Sequence, residues 1–142
     1  MADVVSLIEQ DHREVEGLFA RFEQGDTDVV ATICDELDRH TAGEEGAVYP
    51  VIEKDVPGGK KMMSEAVDEH KEARQLIGRI RNTSDPGHLE ELVTELKTAV
   101  QHHVDEEEHE VLPATRQALT EARLEELGRE FEAAKQAATQ AS

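Results

Sequence analysis

The stretch from His40 to Pro50 has a counterpart from His103 to Pro113, and this repetition constrains the chain more than any other feature. The first copy reads HTAGEEGAVYP and the second HVDEEEHEVLP, so both fit HxxxEExxx(Y/L)P. On a helix, a His and a Glu four residues apart lie one turn apart on the same face. Each copy sits in an apolar stripe that advances by three or four residues. One stripe is Val30, Ile33, Leu37, His40, Glu44, Ala47/Val48 and Val51. The other is Leu89, Leu92/Val93, Leu96, Val100, His103, Glu107 and Val111. This spacing predicts two helices that each turn an imidazole and a carboxylate inward. A lone carboxylate on such a face is costly to desolvate, so it needs partners.

Two further stripes carry one histidine each. His12 fills the gap between Ile8 and Val15 in a stripe that runs from Val4/Val5 through Leu18/Phe19 to Phe22. His70 lies between Ala66/Val67 and Ala73/Arg74 in a stripe that runs from Met63 to Ile77 and Ile80. The four helices are expected from Asp3, a suitable N-cap, to about Phe22; from about Thr27 past Val51; from about Lys60 to Arg81; and from about Pro86 to Leu112. Pro113 is expected to kink or end the last of them. The breaks are Gln24-Gly25-Asp26, Val56-Pro57-Gly58-Gly59 and Asn82 to Gly87. A weaker stripe of Leu124, Leu127, Phe131 and Ala134 predicts one more helix over about 120–138, capping one end or side. The fold class is therefore all-α: an up-down-up-down four-helix bundle with an additional C-terminal helix. It reads as one domain over 1–142, with the bundle core over about 3–113.

Composition narrows the function. The chain has 142 residues, 37% of them apolar, with no Trp and a net charge of −18. Nucleic-acid binding needs clustered Lys and Arg, and an acidic surface disfavours anionic membranes, so neither partner is expected. The charge draws cations and solvates the helix faces. The single cysteine, Cys34, permits no intrachain disulfide and reads as a half-buried small hydrophobe. No segment has the apolar run of a signal peptide or a membrane span, which points to the cytoplasm.

One His on an apolar stripe is ordinarily a hydrogen-bonded core residue, and one HxxxE on an acidic helix arises easily by chance. The joint pattern differs: every bundle helix has a His in mid-stripe, and two carry a Glu one turn on. Four imidazoles and two carboxylates in one core need either an extensive polar network or a metal, and the joint pattern favours the metal. Nitrogen and oxygen donors without thiolate suit iron, manganese, zinc or copper. One tetrahedral zinc would leave two ligands over. The candidate ligands His12, His40, Glu44, His70, His103 and Glu107 fit a dinuclear site better, with two His per metal and the two Glu bridging. Glu45 and Glu108 are candidates for orienting an imidazole, although solvated acids are common at such positions. Gly43 and Gly46, beside Glu44, either admit a close neighbour or soften the helix end before Pro50.

These residues resemble the hemerythrin-like family with the HHE cation-binding domain, over about Val4 to Pro113. The resemblance rests on Asp11-His12 with Val15 and Leu18-Phe19, on His40-xxx-Glu44-Glu45 with Tyr49-Pro50, on Glu69-His70, and on His103-xxx-Glu107-Glu108 with Leu112-Pro113. It implies a non-haem di-iron centre with bridging carboxylates and an oxo or hydroxo bridge. It also implies chemistry with O2, H2O2 or NO, of a catalase- or peroxidase-like kind if turnover occurs. Oxygen-carrying hemerythrins place a second His one turn after the one on the third helix; here that position is Arg74. Their last carboxylate follows its His by five residues, whereas Glu107 follows by four. Arg cannot ligate because it stays protonated. The departure points to Tyr49 as a further candidate ligand and favours peroxide chemistry over reversible O2 carriage. Arg74 either faces the centre or turns outward to surface acids, with Ala73 inward. The same ligands would serve a protein that stores, senses or buffers a divalent metal, or a module whose metal only staples the bundle.

Overall fold

In the computed structural model, which describes residues 2–141, the expected stripes fold into helices. The first arm of the bundle is α1, Val4–Glu23, whose N-cap Asp3 accepts a hydrogen bond from the Ser6 amide. A 3-10 turn at Thr27–Val29 leads into α2, Val30–Gly43. The chain then passes through a π-helical turn, Glu44–Val48, into α3, Tyr49–Asp55. The third arm is α4, Gly59–Asn82, entered through Gly58 at φ 76°, a conformation that suits glycine. The fourth begins at Asp85-Pro86 with α5, Pro86–Glu106. It passes a second π-helical turn, Glu107–Val111, into α6, Leu112–Ala118. Helix α7, Glu121–Ala141, packs along α1, α2 and the first π turn, so it covers a side of the bundle.

The two π turns fall on the repeated motif. In each, the hydrogen bond closes over five residues: the Tyr49 amide donates to the Glu44 carbonyl, and the Leu112 amide to the Glu107 carbonyl. Pro50 and Pro113 follow directly. A proline has no amide to offer and crowds the carbonyl four residues back, so a widened turn there relieves both problems. The helical course therefore continues past Pro113 to Ala118 instead of ending. The extra residue also shifts the stripe: Tyr49 and Ile52 are buried after the first π turn, where regular spacing pointed to Val51.

The core has two parts. One gathers Ile8, Ile52, Met63, Leu112, Leu127 and Phe131 with their neighbours. The other gathers Val15, Phe19, Leu37, Ile77, Leu96 and Val104 with theirs. Cys34 lies in the second part, fully rather than half buried, and burial pushes its thiol up to about 11. Between the parts lies a polar layer: His12, His40, Glu44, His70 and Glu107 are buried, and His103 nearly so.

Candidate metal centre

All six candidate ligands meet in that layer. His12 and His40 approach from α1 and α2, His70 from α4 and His103 from α5. Glu44 and Glu107 open the two π turns. Each imidazole gives its Nδ1 to a carboxylate at the rim. His12 bonds Glu108 at 2.7 Å, His40 bonds Asp11 at 2.8 Å, His70 bonds Glu45 at 2.6 Å and His103 bonds Glu69 at 2.7 Å. With Nδ1–H donating outward, every Nε2 points inward, where loss of its proton would leave a lone pair for a metal. The Nε2 atoms of His40 and His70 both lie 3.2 Å from Glu44 Oε1. His12 Nε2 lies 3.0 Å from Glu107 Oε1, and His103 Nε2 lies 3.2 Å from Glu107 Oε2.

Charge is concentrated at these groups. Burial works against a charged ring at His40, yet Glu44 and Asp11 outweigh it and lift the imidazole to about 10. Burial would raise the Glu107 carboxyl, but His103 and His12 hold it well below the usual range. The geometry also leaves buried atoms unsatisfied. Despite these short separations, His12 Nε2, His40 Nε2, Glu44 Oε2 and Glu107 Oε1 make no hydrogen bond of acceptable geometry. Buried polar atoms are ordinarily paired, so these four, which lie close to one another, have the right chemistry for a cation. Two sets of donors have atoms within 4.8 Å of one another: His12, His40, Glu44 and Glu107, and Glu44, His70 and His103. The residues present therefore fit a metal ion, and Glu44 belongs to both sets.

The hemerythrin HHE cation binding domain model matches residues 3–115. The chain belongs to that family. It is 27% identical to an uncharacterized hemerythrin-like protein of Schizosaccharomyces pombe, over 95% of this chain and 70% of the relative. It is also 27% identical to a DNA nickase of Nostoc, over 94% of this chain but only 39% of that protein. Among solved structures it resembles a hemerythrin HHE cation binding domain-containing protein from Mycobacterium kansasii. The TM-score there is 0.82 at 25% identity, covering 99% of this chain and 90% of the other.

Against the hemerythrin pattern, the place of the missing histidine is resolved. Arg74 turns outward and donates to Glu45, while Ala73 lines a small internal cavity. Tyr49 reaches the centre instead, because the π turn brings the residue five positions after Glu44 onto nearly the same face. Its hydroxyl donates to Glu107 Oε2 at 2.7 Å and lies 3.2 Å from Glu44 Oε1, 3.2 Å from His70 Nε2 and 3.4 Å from His103 Nε2. Burial, with Glu107 and Glu44 close by, holds this phenol well above its usual value. The cavity has a volume of about 30 Å³ and is bounded by the four histidines, Val15, Leu37, Ala73, Ala99, Val100 and Val104.

Two rim carboxylates escaped the sequence reading. Glu45 and Glu108 follow the motif glutamates and were candidates, but Asp11 and Glu69 serve equally. Each immediately precedes a histidine, which is a readable signal; each bonds a different histidine, which is not. His102 is largely exposed, with Nε2 3.1 Å from Glu106 and 3.4 Å from Glu69. His109 is a surface residue bonded to the Asp105 carbonyl, and His88 is also exposed.

Proposed function

We propose that His12, His40, His70 and His103 hold two iron ions, with Glu44 and Glu107 shared between them and Tyr49 as a further ligand to the pair. The proposed chemistry is with O2, H2O2 or NO, and peroxide-related redox chemistry such as disproportionation, which needs no outside reductant, is favoured over reversible O2 carriage. The observation that carries this reading is the set of inward Nε2 and carboxylate atoms, four of them orphaned, split over two donor groups that share Glu44. Iron bound there would supply the redox chemistry. The chain's own part is to fix the donors, limit access and place protons. The rim carboxylates lock each ring by its Nδ1–H, so the donor atoms need no rearrangement when a metal arrives. The cavity beside the histidines, about 30 Å³, has room for a molecule of one or two heavy atoms. Among the described residues, Tyr49 is the one hydroxyl bonded to both carboxylates and near two rings. A cation nearby favours its anion, so the phenol is placed to give up its proton on ligation.

Elemental analysis and visible absorption test this reading together. Two irons per chain are expected, with a phenolate-to-iron(III) band that vanishes in Tyr49→Phe while iron remains bound. Hydrogen peroxide consumption by the loaded protein should exceed that of free iron. Two irons without peroxide consumption would leave a metal-binding protein without turnover, and one colourless zinc would sink the redox reading.

A further inference from the structure

Three of the four rim carboxylates are backed by a side chain from the bundle itself. Arg13 of α1 donates to Glu108, Arg74 of α4 to Glu45, and His102 of α5 lies against Glu69. The fourth, Asp11, is served from outside. Lys135 of α7 reaches in with Nζ at 2.9 and 2.8 Å from the two Asp11 oxygens. Helix α7 lies beyond residues 3–115, the stretch that the family model matches. The lysine is mostly buried, 19% exposed, and its Nζ lies 5.2 Å from the centre of the Phe131 ring. Phe131 in turn meets the His40 ring edge-on at 5.8 Å.

This seating depends on Gly43. A Cβ there would lie 2.7 Å from Lys135 Cγ and 2.8 Å from the Phe131 ring, too close for any side chain. Of the two sequence-level readings of Gly43, admitting a close neighbour is the one realised, and the neighbour is α7.

We propose that Lys135 is a positioning residue for the metal centre: by holding Asp11 it fixes the ring of His40, and so gives α7 control over the donor group made by His12, His40, Glu44 and Glu107. This rests on the dinuclear reading above. Without the ammonium, the Asp11 carboxylate keeps one partner and an open path to water. The ring it holds then loses its fixed tautomer and orientation, and outer partners of this kind typically contribute about 10–100-fold to metal affinity. In the second donor group, Glu44, His70 and His103, the rings are held by Glu45 and Glu69 rather than by Asp11, so Lys135 does not position them.

Lys135→Met keeps the stem and removes the charge, so α7 can stay seated. Iron(II) titration against a competing chelator is expected to show one equivalent weakened about 10–100-fold. The other should be unchanged, with the Tyr49 band retained after oxidation. Asp11→Asn should weaken the same equivalent, and the double variant should be no worse than the stronger single one. Two unchanged equivalents, two equally weakened ones, or additive losses would each overturn the proposal. A measurement on chelated protein separates it from the dinuclear reading. The His40 Nδ1 proton should give a slowly exchanging NMR resonance in the wild type and lose it to solvent exchange in Lys135→Met. If that resonance persists in the variant, Lys135 does not position His40, whatever the iron content.

Discussion

At the scale of single residues, the centre is four imidazoles held from behind and two carboxylates aimed at the same point. The six inward residues were legible because each replaces an apolar residue in its stripe. The rim was only half legible. Asp11 sits beside His12 in sequence but bonds His40, and Glu69 sits beside His70 but bonds His103. That crossing depends on how neighbouring helices are phased, which no single stripe encodes. The charges predict a pH signature for chelated protein. The His40 imidazole, ordinarily near 6.5, is lifted to about 10. Its contribution to stability is full below about 6.5 and fades as pH rises toward 10. Glu44 and Glu107 are held below their ordinary 4.5, so their contribution is present above that value and fades as pH falls through the lowered one. Thermal melts of chelated protein should therefore peak between about pH 4.5 and 6.5 and decline toward pH 10. Ligation needs neutral imidazoles, so melts of loaded protein should peak at higher pH. Parallel profiles for the two forms would contradict the assignment of these residues as ligands.

At the scale of elements, the π turns account for the main difference between sequence and structure. Regular spacing carried the second stripe to Val51, but the turn adds one residue and delivers Ile52 to the core. The signal was present as Pro50 and Pro113, each six residues after a motif glutamate. What periodicity could not show is that the chain absorbs the proline by widening rather than by stopping. The consequence is testable with two neighbouring truncations. Ile52 is completely buried and Val51 only half-buried, so Ile52→Ala should cost about 2–5 kcal/mol and Val51→Ala no more than about 1 kcal/mol. Chemical denaturation measures both, and the reverse ranking would mean that the helix keeps its regular phase. The seat of α7 was less legible than the bundle. Its stripe of Leu124, Leu127 and Phe131 announced a helix, but only the absent side chain at Gly43 shows where it lies.

At the scale of the whole molecule, the paired motifs gave the architecture: two helical hairpins whose histidines meet at mid-height. Among the described residues no helix is long and apolar enough to cross a membrane, as the composition anticipated. The arrangement divides the core, because every arm of the bundle interrupts its apolar stripe at the same level. Hydrophobic packing is therefore not continuous from end to end, and a layer of like and unlike charges joins two separate apolar clusters. Native-state hydrogen exchange of the loaded protein should show amides of both clusters opening together. In chelated protein, the amides around Leu96 and those around Leu127 should open with distinct free energies. A single shared opening in both forms would mean that the helices alone couple the halves. On this expectation the polar layer is a mechanical joint: filled, it would let the bundle unfold as one cooperative unit, and stripped, it would leave each half to fluctuate on its own.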